Sequence, residues 1–180
     1  MTVPFDADDD RALMLRACAG EREAFAILVA RHQQPLLNFF RRAGVYTDAE
    51  DMVQQTFIRL YRYRDRYRPS AKLTTFLYLL ARQVMIDEAR RRRRRERFQE
   101  SWQEETEQVA APDTGPKAGR LDLDMALATL PEALRLVVVM GIYQQMPYAD
   151  IATVLRIPVG TVKSRMFNAL RQLRRVLEES

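Results

Sequence analysis

The sequence is poor in the residues on which several classes of site depend. It contains one cysteine, Cys18, and one histidine, His32, which excludes an internal disulfide and offers no zinc framework. It has no glycine-rich phosphate loop, no apolar run long enough to cross a bilayer, and an acidic start without the apolar core of a signal peptide. These absences predict a cytoplasmic protein that is not an enzyme and uses no metal, cofactor or small-molecule substrate. His32 is expected on a helix surface or partly packed.

Positive charge, by contrast, is abundant and unevenly distributed. The 180 residues carry a formal net charge of +5 and a pI of about 9.6, which favours an anionic partner. Residues 55–97 hold fourteen basic residues against four acidic ones, and Arg90 to Arg95 form an unbroken run. Three interpretations of the run are open: a solvated tag, a nonspecific polyanion patch, or the continuation of a helix that contacts nucleic acid.

A polar segment divides the chain into two units. Residues 98–119, FQESWQEETEQVAAPDTGPKAG, contain five acids, one lysine, few apolar side chains and several prolines and glycines. This composition predicts a flexible linker over 98–121. The two folded units are then residues 8–97 and residues 122–180.

Both units are predicted to be helical. In the first unit apolar side chains recur at three- and four-residue spacing, and Gly20 and Gly44 fit helix ends. Thr47 and Glu50 fit a capping box that opens the next helix, and another helix runs from about Leu73 into the arginine run. Because no segment alternates with the two-residue period of a strand, the predicted fold class is all-α, with two small helical domains joined by a flexible linker.

The segment MPYADIATVLRIPVGTVKSRMFNALRQLRR has the spacing of a helix-turn-helix. A short helix is predicted over Pro147 to Leu155, RIP is the turn, and a second helix begins at Val159. Arg156 is unusual at such a turn, where glycine tolerates the positive φ that is often required.

The second helix has two distinct faces at about 100° per residue. The inward set is Val162, Met166, Ala169 and Leu173, and the outward set is Ser164, Phe167, Asn168, Arg171 and Arg175. An outward face of this kind can contact base edges, through arginine to guanine, asparagine to adenine and an apolar group to the thymine methyl. The alternative is an ordinary surface helix with a solvated basic face.

These motifs resemble a known family. IPVGTVKSRMFNALRQLRR after LPEALRLVVVMGIYQQMPYADIATVL resembles region 4 of the sigma-70 family, while DAEDMVQQTFIRLYRY and KLTTFLYLLARQVMIDEARRRRR resemble region 2. With only these regions and a linker, the chain is similar to the extracytoplasmic-function (ECF) group of bacterial sigma factors. The resemblance implies a transcription initiation factor in which residues 8–97 bind core polymerase and recognise and melt the −10 element, and residues 122–180 recognise the −35 element.

The resemblance also implies three sets of contact residues. The positions that match the polymerase-binding pattern are Asp48, Asp51, Gln54, Gln55 and Phe57. The residues assigned to the −10 element, at or beside the family's positions, are Tyr67, Arg68, Lys72, Phe76, Gln83, Asp87, Arg90 and Arg91. Those that match the −35 pattern are Thr161, Lys163, Ser164, Arg165, Phe167, Asn168 and Arg171. The implied partners are core RNA polymerase, through its clamp coiled coil and flap, and promoter DNA, with an anti-sigma factor as a further candidate.

Several of these residues depart from the family pattern or also fit a structural role. Phe76 and Gln83 stand where the family pattern has tryptophan and asparagine, which alters the expected −10 preference. The aromatics Tyr61, Tyr63, Tyr67 and Tyr78 suit stacking on a single strand, although the core is the alternative place for such rings. Asp87 and Glu88 fit local pairing with the neighbouring arginines.

Two other functions remain as alternatives to a transcription initiation factor. One is a self-sufficient DNA-binding regulator with a helical sensor unit, which the basic and aromatic first unit disfavours. The other is a structural or RNA-binding helical protein. Within the arginine run, Arg90, Arg91 and Arg94 are predicted to contact phosphates of the upstream −10 duplex, and the others to be solvated or paired with the acidic linker.

Overall fold

The computed structural model describes residues 7–68, 70, 72–100 and 121–178, and within them it contains helices and turns but no strand. The all-α prediction is therefore confirmed. The helices are α1 (Ala7–Cys18), α2 (Arg22–Arg42), α3 (Ala49–Arg62), α4 (Leu73–Glu100), α5 (Leu121–Thr129), α6 (Glu132–Val138), α7 (Tyr148–Leu155) and α8 (Val159–Glu178). A short 3₁₀ turn spans Arg64–Arg66, and a π-turn spans Val139–Tyr143.

Helices α1 to α4 enclose the first core. Phe39 and Phe40 of α2 are fully buried beside Leu60 of α3 and Leu77 of α4, as the helical spacing predicts. Gly20 and Gly44 do end their helices, with φ of 99° and 100°, a backbone region in which a side chain would be strained.

The predicted capping box at the start of α3 is wrong. The N-cap residue is Asp48, and no side chain caps the helix. Glu50 instead lies 3.3 Å from the guanidinium of Arg41 on α2. The carboxylate is therefore drawn to a cation on a neighbouring helix and away from the backbone N–H that the motif would supply.

The prediction for His32 is also wrong, since its side chain is buried with 3 % of its surface exposed. Its Nε2 lies 2.7 Å from the Oδ2 of Asp10, which is equally buried on α1. Arg31 donates a hydrogen bond of 3.1 Å to the other oxygen of Asp10. The polar trio fixes α1 against α2, because a buried carboxylate needs donors in place of water.

Helices α5 to α8 form the second core. Ile151, Ala152 and Leu155 of α7 are buried, and so is the inward set predicted for α8. Between α7 and α8, Arg156 adopts a left-handed conformation with φ of 54°. The non-glycine residue at the turn therefore accepts the positive φ at a cost of about 1 kcal/mol or more.

The two units contact each other, which the sequence did not predict. Helix α7 packs along α4, while α5 and the π-turn approach α2. The predicted boundary at residue 97 falls inside α4, which continues as a helix to Glu100. Most of the predicted linker, residues 101–120, lies outside the described residues.

Candidate functional surfaces

The outer face of α3 carries the predicted polymerase contacts with one exception. Asp48, Asp51, Gln54 and Gln55 are exposed, because the apolar side of the amphipathic helix faces the core. Phe57 belongs to that apolar side and is only 7 % exposed. The assignment of Phe57 as a contact residue is therefore corrected: its ring supports the helix from within.

An apolar patch on α3 was missed by the sequence analysis. Ile58 is 41 % exposed and lies one helical turn after Gln54. Tyr61 follows on the same side, packed edge-to-face on Phe25 at 5.1 Å and covered by the guanidinium of Arg64 at 4.3 Å. The signal that could have revealed the patch is the three- and four-residue spacing that links these positions to Asp51 and Gln54.

The aromatic rings of the first unit do not form one strand-binding face. Tyr67 is only 5 % exposed and packs on Phe76, with ring centroids 5.9 Å apart. Tyr78 is buried against Phe39 at 5.0 Å. The assignment of Tyr67 to strand contact is therefore corrected, and for Tyr78, where core and strand were both open, the structure shows the core. Phe76 is half-buried beside Tyr67, so of this aromatic pair it is Phe76 that can meet a base.

One side of α4 brings together part of the predicted −10 set. At 100° per residue, Phe76, Gln83 and Arg90 project within about 40° of one another. Phe76 and Gln83 are half-buried, while Arg90 is exposed beyond them. Lys72 and Arg68 precede the helix and are exposed. The side therefore offers an aromatic surface, an amide and cations along one line.

Asp87 projects close to that line but its carboxylate is held by α3, whereas Arg91 projects about 60° away from Phe76. Asp87 forms an ion pair of 2.8 Å with Arg59 of α3 and lies 3.9 Å from Arg90. Arg91 pairs with Glu88 at 3.5 Å and lines the groove between α3 and α4. The local pairing predicted for Asp87 and Glu88 is confirmed.

The six arginines all lie within α4. Arg95 bonds Glu88 at 2.8 Å, and Arg92 bonds Glu96 at 3.1 Å. Within the described part of the chain no ion pair involves Arg93 or Arg94, and both are exposed. A helix carries the run and spreads its charge around the axis, so the disordered-tag interpretation does not hold for Arg90 to Arg95.

The outward face of α8 is exposed as predicted. The ring of Phe167 is 67 % exposed, and Lys163, Ser164 and Arg171 are also exposed. Asn168 is half-buried, with its Oδ1 3.5 Å from the guanidinium of Arg171. Leu170, missed by the sequence analysis, is exposed beside Phe167. A helix face with arginine, asparagine and apolar groups in reach of solvent can contact base edges in a major groove.

Two predicted residues lie at the margins of this face. Thr161 is half-buried, and its carbonyl accepts a hydrogen bond of 3.0 Å from the hydroxyl of Ser164. Arg165 is half-buried and lines a cleft between the two units together with Arg82 and Arg135. The side chains of Thr161 and Arg165 are therefore better placed to contact the phosphate backbone of DNA than its base edges.

Burial and neighbouring charge shift the pKa of several groups, among them Tyr78, Arg82 and Asp10. Burial raises the pKa of the Tyr78 hydroxyl, so this group stays a neutral donor. Burial, reinforced by the positive charge of Arg156, lowers the pKa of Arg82. Burial alone would raise the pKa of Asp10, but the hydrogen bond and charge of His32, with those of Arg31, hold it below its ordinary value.

The described residues contain neither a metal-binding cluster nor a membrane-spanning helix. In the ranges 7–68, 72–100 and 121–178, no three histidine, cysteine or carboxylate side chains are grouped so as to hold a metal ion. No helix in the described part of the chain has the length and hydropathy needed to span a membrane.

Comparisons with known proteins match both units. The Sigma-70 region 2 family matches residues 28–95, and the Sigma-70, region 4 family matches residues 120–173, together more than half of the chain. The RNA polymerase sigma-H factor of Pseudomonas aeruginosa is 27 % identical over 183 residues, covering 95 % of each chain. The ECF RNA polymerase sigma factor SigE of Mycolicibacterium smegmatis is 32 % identical over 180 residues, covering 96 % of this chain and 66 % of SigE.

Solved structures share the fold. CnrH, in complex with the cytosolic domain of CnrY, superposes with a TM-score of 0.73 at 27 % identity, covering 96 % of this chain and 99 % of CnrH. The sigma factor RpoE of Bartonella quintana, in complex with the anti-sigma factor NepR, gives a TM-score of 0.68 at 23 % identity, covering 84 % of this chain and 93 % of RpoE. The second likeness concerns the fold alone.

Proposed function

The chain belongs to the sigma-70 family, in its extracytoplasmic-function group, and we propose that it acts through three surfaces, on α3, α4 and α8. It is a transcription initiation factor that directs RNA polymerase to promoters. The units proposed for this work are region 2 over residues 8–97, a linker over 98–121, and region 4 over 122–180.

The observation that carries the proposal is the exposed face of α8 behind the left-handed turn at Arg156. Arg171, Asn168 and Phe167 present groups that suit guanine, adenine and a thymine methyl, respectively. Lys163 and Ser164 lie near the start of the helix, where they suit phosphates. This face is assigned to the −35 element.

The outer face of α3 is assigned to the clamp coiled coil of core polymerase. Asp51, Gln54 and Gln55 are available for polar contacts with a basic or polar helix. Ile58 adds an exposed apolar side chain to the same face, and buried apolar contacts between polar ones are typical of stable interfaces. Asp48 lies at the start of the helix, at the edge of the assigned surface.

The line on α4 is assigned to the −10 element. Phe76 and Gln83 face the same way and can contact exposed bases by stacking and by amide hydrogen bonds. Arg68, Lys72 and Arg90 supply positive charge at the two ends of this line. Unstacking a base costs a few kcal/mol, so binding of the opened strand has to offset that cost.

An anti-sigma factor is a further proposed partner. RpoE of Bartonella quintana was solved with the anti-sigma factor NepR bound, and CnrH was solved with the cytosolic domain of CnrY bound. Both folds cover most of this chain. The proposed role is regulatory and non-enzymatic, and its place is the cytoplasm, where bacterial polymerase and promoter DNA are found.

Run-off transcription with bacterial core enzyme over a genomic promoter library tests the proposal. We expect promoter-specific transcripts that require both core enzyme and this chain. The competing function, a self-sufficient DNA-binding regulator, predicts tight and specific shift of a duplex site by the purified chain together with no binding to core. That pair of results would refute the proposal.

A further inference from the structure

A cleft of about 950 Å³ lies between the two units. Its walls are the loop that joins α2 to α3, one side of α4, helix α6 and the turn between α7 and α8. The volume falls within the range of about 300–1,000 Å³ that is typical of small-molecule sites. We call this space the arginine cleft, because arginine is its most frequent charged residue.

Positive charge exceeds negative charge around the arginine cleft. Six arginines line it, against the three carboxylates of Asp48, Glu88 and Glu132. The arginines are Arg82, Arg90, Arg92, Arg93, Arg135 and Arg165. Glu88 is already bound by Arg91 and Arg95, at 3.5 Å and 2.8 Å. The carboxylates that remain are too few to neutralise the cations, so the cleft favours an anion.

Several of these arginines have no anionic partner. Arg93, Arg135 and Arg165 form no ion pair within the described part of the chain. The guanidinium of Arg135 is half-buried, and its Nε is closed off from solvent without a hydrogen-bond partner among the described residues. A partly desolvated charge without a partner is unfavourable, so an anion bound beside Arg135 would stabilise it.

The charge of Arg82 is likewise incompletely compensated. Burial, with the positive charge of Arg156, lowers the pKa of Arg82, and the negative charge of Glu132 opposes this only in part. Burial penalises the charged form, and a second cation nearby adds to the penalty. An anion in the arginine cleft would offset both effects.

The side of α4 that lines the arginine cleft differs from the side assigned to the −10 element. At 100° per residue, Arg82, Ile86 and Arg93 project within about 40° of one another. The same rule places them roughly 80–120° around the helix from Phe76. Arg135 of α6 also lies outside the three sets of implied contact residues. Promoter contacts therefore do not account for Arg82, Arg93 and Arg135.

The spacing of the cations favours an elongated anion. Arg82 and Arg93 are eleven residues apart on α4, which corresponds to about 16 Å along the helix axis. A chain of phosphoryl groups can contact guanidinium groups spread over such a distance better than a single phosphate can. The planar guanidinium also pairs with phosphate oxygens through two parallel hydrogen bonds.

The arginine cleft also offers an aromatic ring and apolar surface. Tyr46, in the loop between α2 and α3, lines the cleft and is 52 % exposed. Met85 of α4 and Ile157 of the turn are half-buried in its walls. Nucleobases stack on exposed aromatic rings whatever their sequence identity. An anion that carries a planar base therefore fits the cleft better than an inorganic phosphate chain.

We propose that the arginine cleft binds a nucleoside polyphosphate, with its phosphates on Arg82, Arg93 and Arg135 and its base on Tyr46. Neither polymerase nor DNA takes part in this binding. The site is therefore independent of the promoter and polymerase surfaces proposed above.

Isothermal titration calorimetry of the full chain with ATP, inorganic triphosphate and adenosine tests the site. ATP should bind roughly fivefold or more tightly than triphosphate, because stacking adds to charge, and adenosine should not bind detectably. Arg135→Gln should lower the affinity for ATP roughly tenfold, and Arg93→Gln, at an exposed position, by less. Arg174→Gln removes an exposed arginine of α8 outside the cleft and is the matched control.

Tyr46→Ala separates the base from the phosphates. It should lower the affinity for ATP to that for triphosphate and leave the affinity for triphosphate unchanged. Circular dichroism establishes that the variants remain helical, and the exposed position of Arg93 supplies a second test if Arg135→Gln does not fold.

Absence of ATP binding would overturn the proposal. Equal affinity for ATP in all three arginine variants would overturn it too, since the binding would then be nonspecific attraction to positive charge. Equal affinities of the original chain for ATP and triphosphate would overturn the assignment of a nucleoside.

Discussion

At the scale of single residues, exposure decides which of the predicted contact residues can make contact. Phe57 and Tyr67 match the family pattern but lie in the core, whereas Ile58 lies on the surface that the pattern marks. A motif specifies positions along a chain, and the same motif contains residues that fold the helix and residues that bind a partner. Burial separates the two groups.

Arg171 is predicted to contribute to promoter choice. Arg171→Ala should lower discrimination at the −35 element by about 1–3 kcal/mol, because a bidentate arginine contact to guanine is lost. The measurement is run-off transcription from promoters that differ at single −35 positions. Gln172→Ala, at the adjacent exposed position, is the control, and equal loss in both variants would contradict the role of Arg171.

Asp51 is predicted to face the polymerase. Asp51→Arg should weaken binding to core enzyme, since it replaces an exposed carboxylate on the assigned face with a cation. Glu50→Arg makes the same change of charge one residue earlier, where the carboxylate faces Arg41 of the same unit. Affinity for core, measured by fluorescence anisotropy, should fall in the first variant only; normal affinity of Asp51→Arg would remove Asp51 from the interface.

At the scale of helices, the sequence predicted what depends on local spacing and missed what depends on distant partners. The starts of α4 and α8 and the inward face of α8 follow from three- and four-residue periodicity. The burial of His32 does not, because its partner Asp10 is 22 residues earlier in the chain. The capping box failed for the same reason, since Arg41 lies on another helix.

The attachment of α1 to α2 is predicted to depend on Asp10. Asp10→Ala should lower the free energy of unfolding by about 1.5–3 kcal/mol, the typical worth of hydrogen bonds to a charged group. Asp9→Ala removes an exposed ion pair with the same Arg31, and should cost less than about 1 kcal/mol. Denaturant unfolding of the two variants measures the difference, and equal values would contradict a special role for the buried carboxylate.

The lowered pKa of Asp10 determines how the stability of the fold changes with pH. The pKa of Asp10 is lower in the folded chain than its ordinary value of 3.8. The contribution of this carboxylate to the free energy of unfolding is therefore complete above pH 3.8. The contribution is lost as the pH falls from there through the lowered folded pKa. The Asp10→Ala chain should therefore lose less stability over this acid range than the original chain.

The arginine run is predicted to act through selected members. Arg94 projects near Phe76 and Gln83 around α4 and forms no ion pair within the described residues, whereas Arg95 is held by Glu88. Arg94→Ala should weaken holoenzyme binding to the upstream −10 duplex and reduce the slope of log affinity against log salt by up to about 0.9. Arg95→Ala is the control. Identical slopes in all three proteins would contradict the phosphate contact.

At the scale of the whole molecule, the two units form a contact that no local sequence pattern predicts. Tyr78 donates a hydrogen bond to Gln144, 66 residues away, and neither residue is among the contact residues that the resemblance implies. The composition of the segment between the units predicted that they are separate folding units. It did not predict whether they touch, because that depends on complementary side chains on two surfaces.

The substitution Gly44→Ala adds a single methyl group and tests the contact between Gly44 and Arg135 of the second unit. A Cβ at Gly44 would lie 2.8 Å from the guanidinium of Arg135 in the second unit, so Gly44→Ala must displace that side chain. Gly20 has the same positive φ but nothing within 4 Å, so Gly20→Ala carries the backbone strain alone, about 1–3 kcal/mol. Both variants should be destabilised, and Gly44→Ala slightly more, because the flexible guanidinium of Arg135 must move aside. Denaturant unfolding measures the difference, and equal losses of stability would contradict the contact.

The π-turn at Val139–Tyr143 gives the chain a second means of adjusting this contact. A π-turn holds one residue more than the α-helical turn it replaces. Loss of a single residue there would exchange the hydrogen bond from the N–H of Gln144 to the carbonyl of Val139 for an ordinary α-helical one, and so would change the backbone that carries Gln144 without any change of side chain. The contact between the units therefore depends on the length of the chain in this turn as well as on its composition.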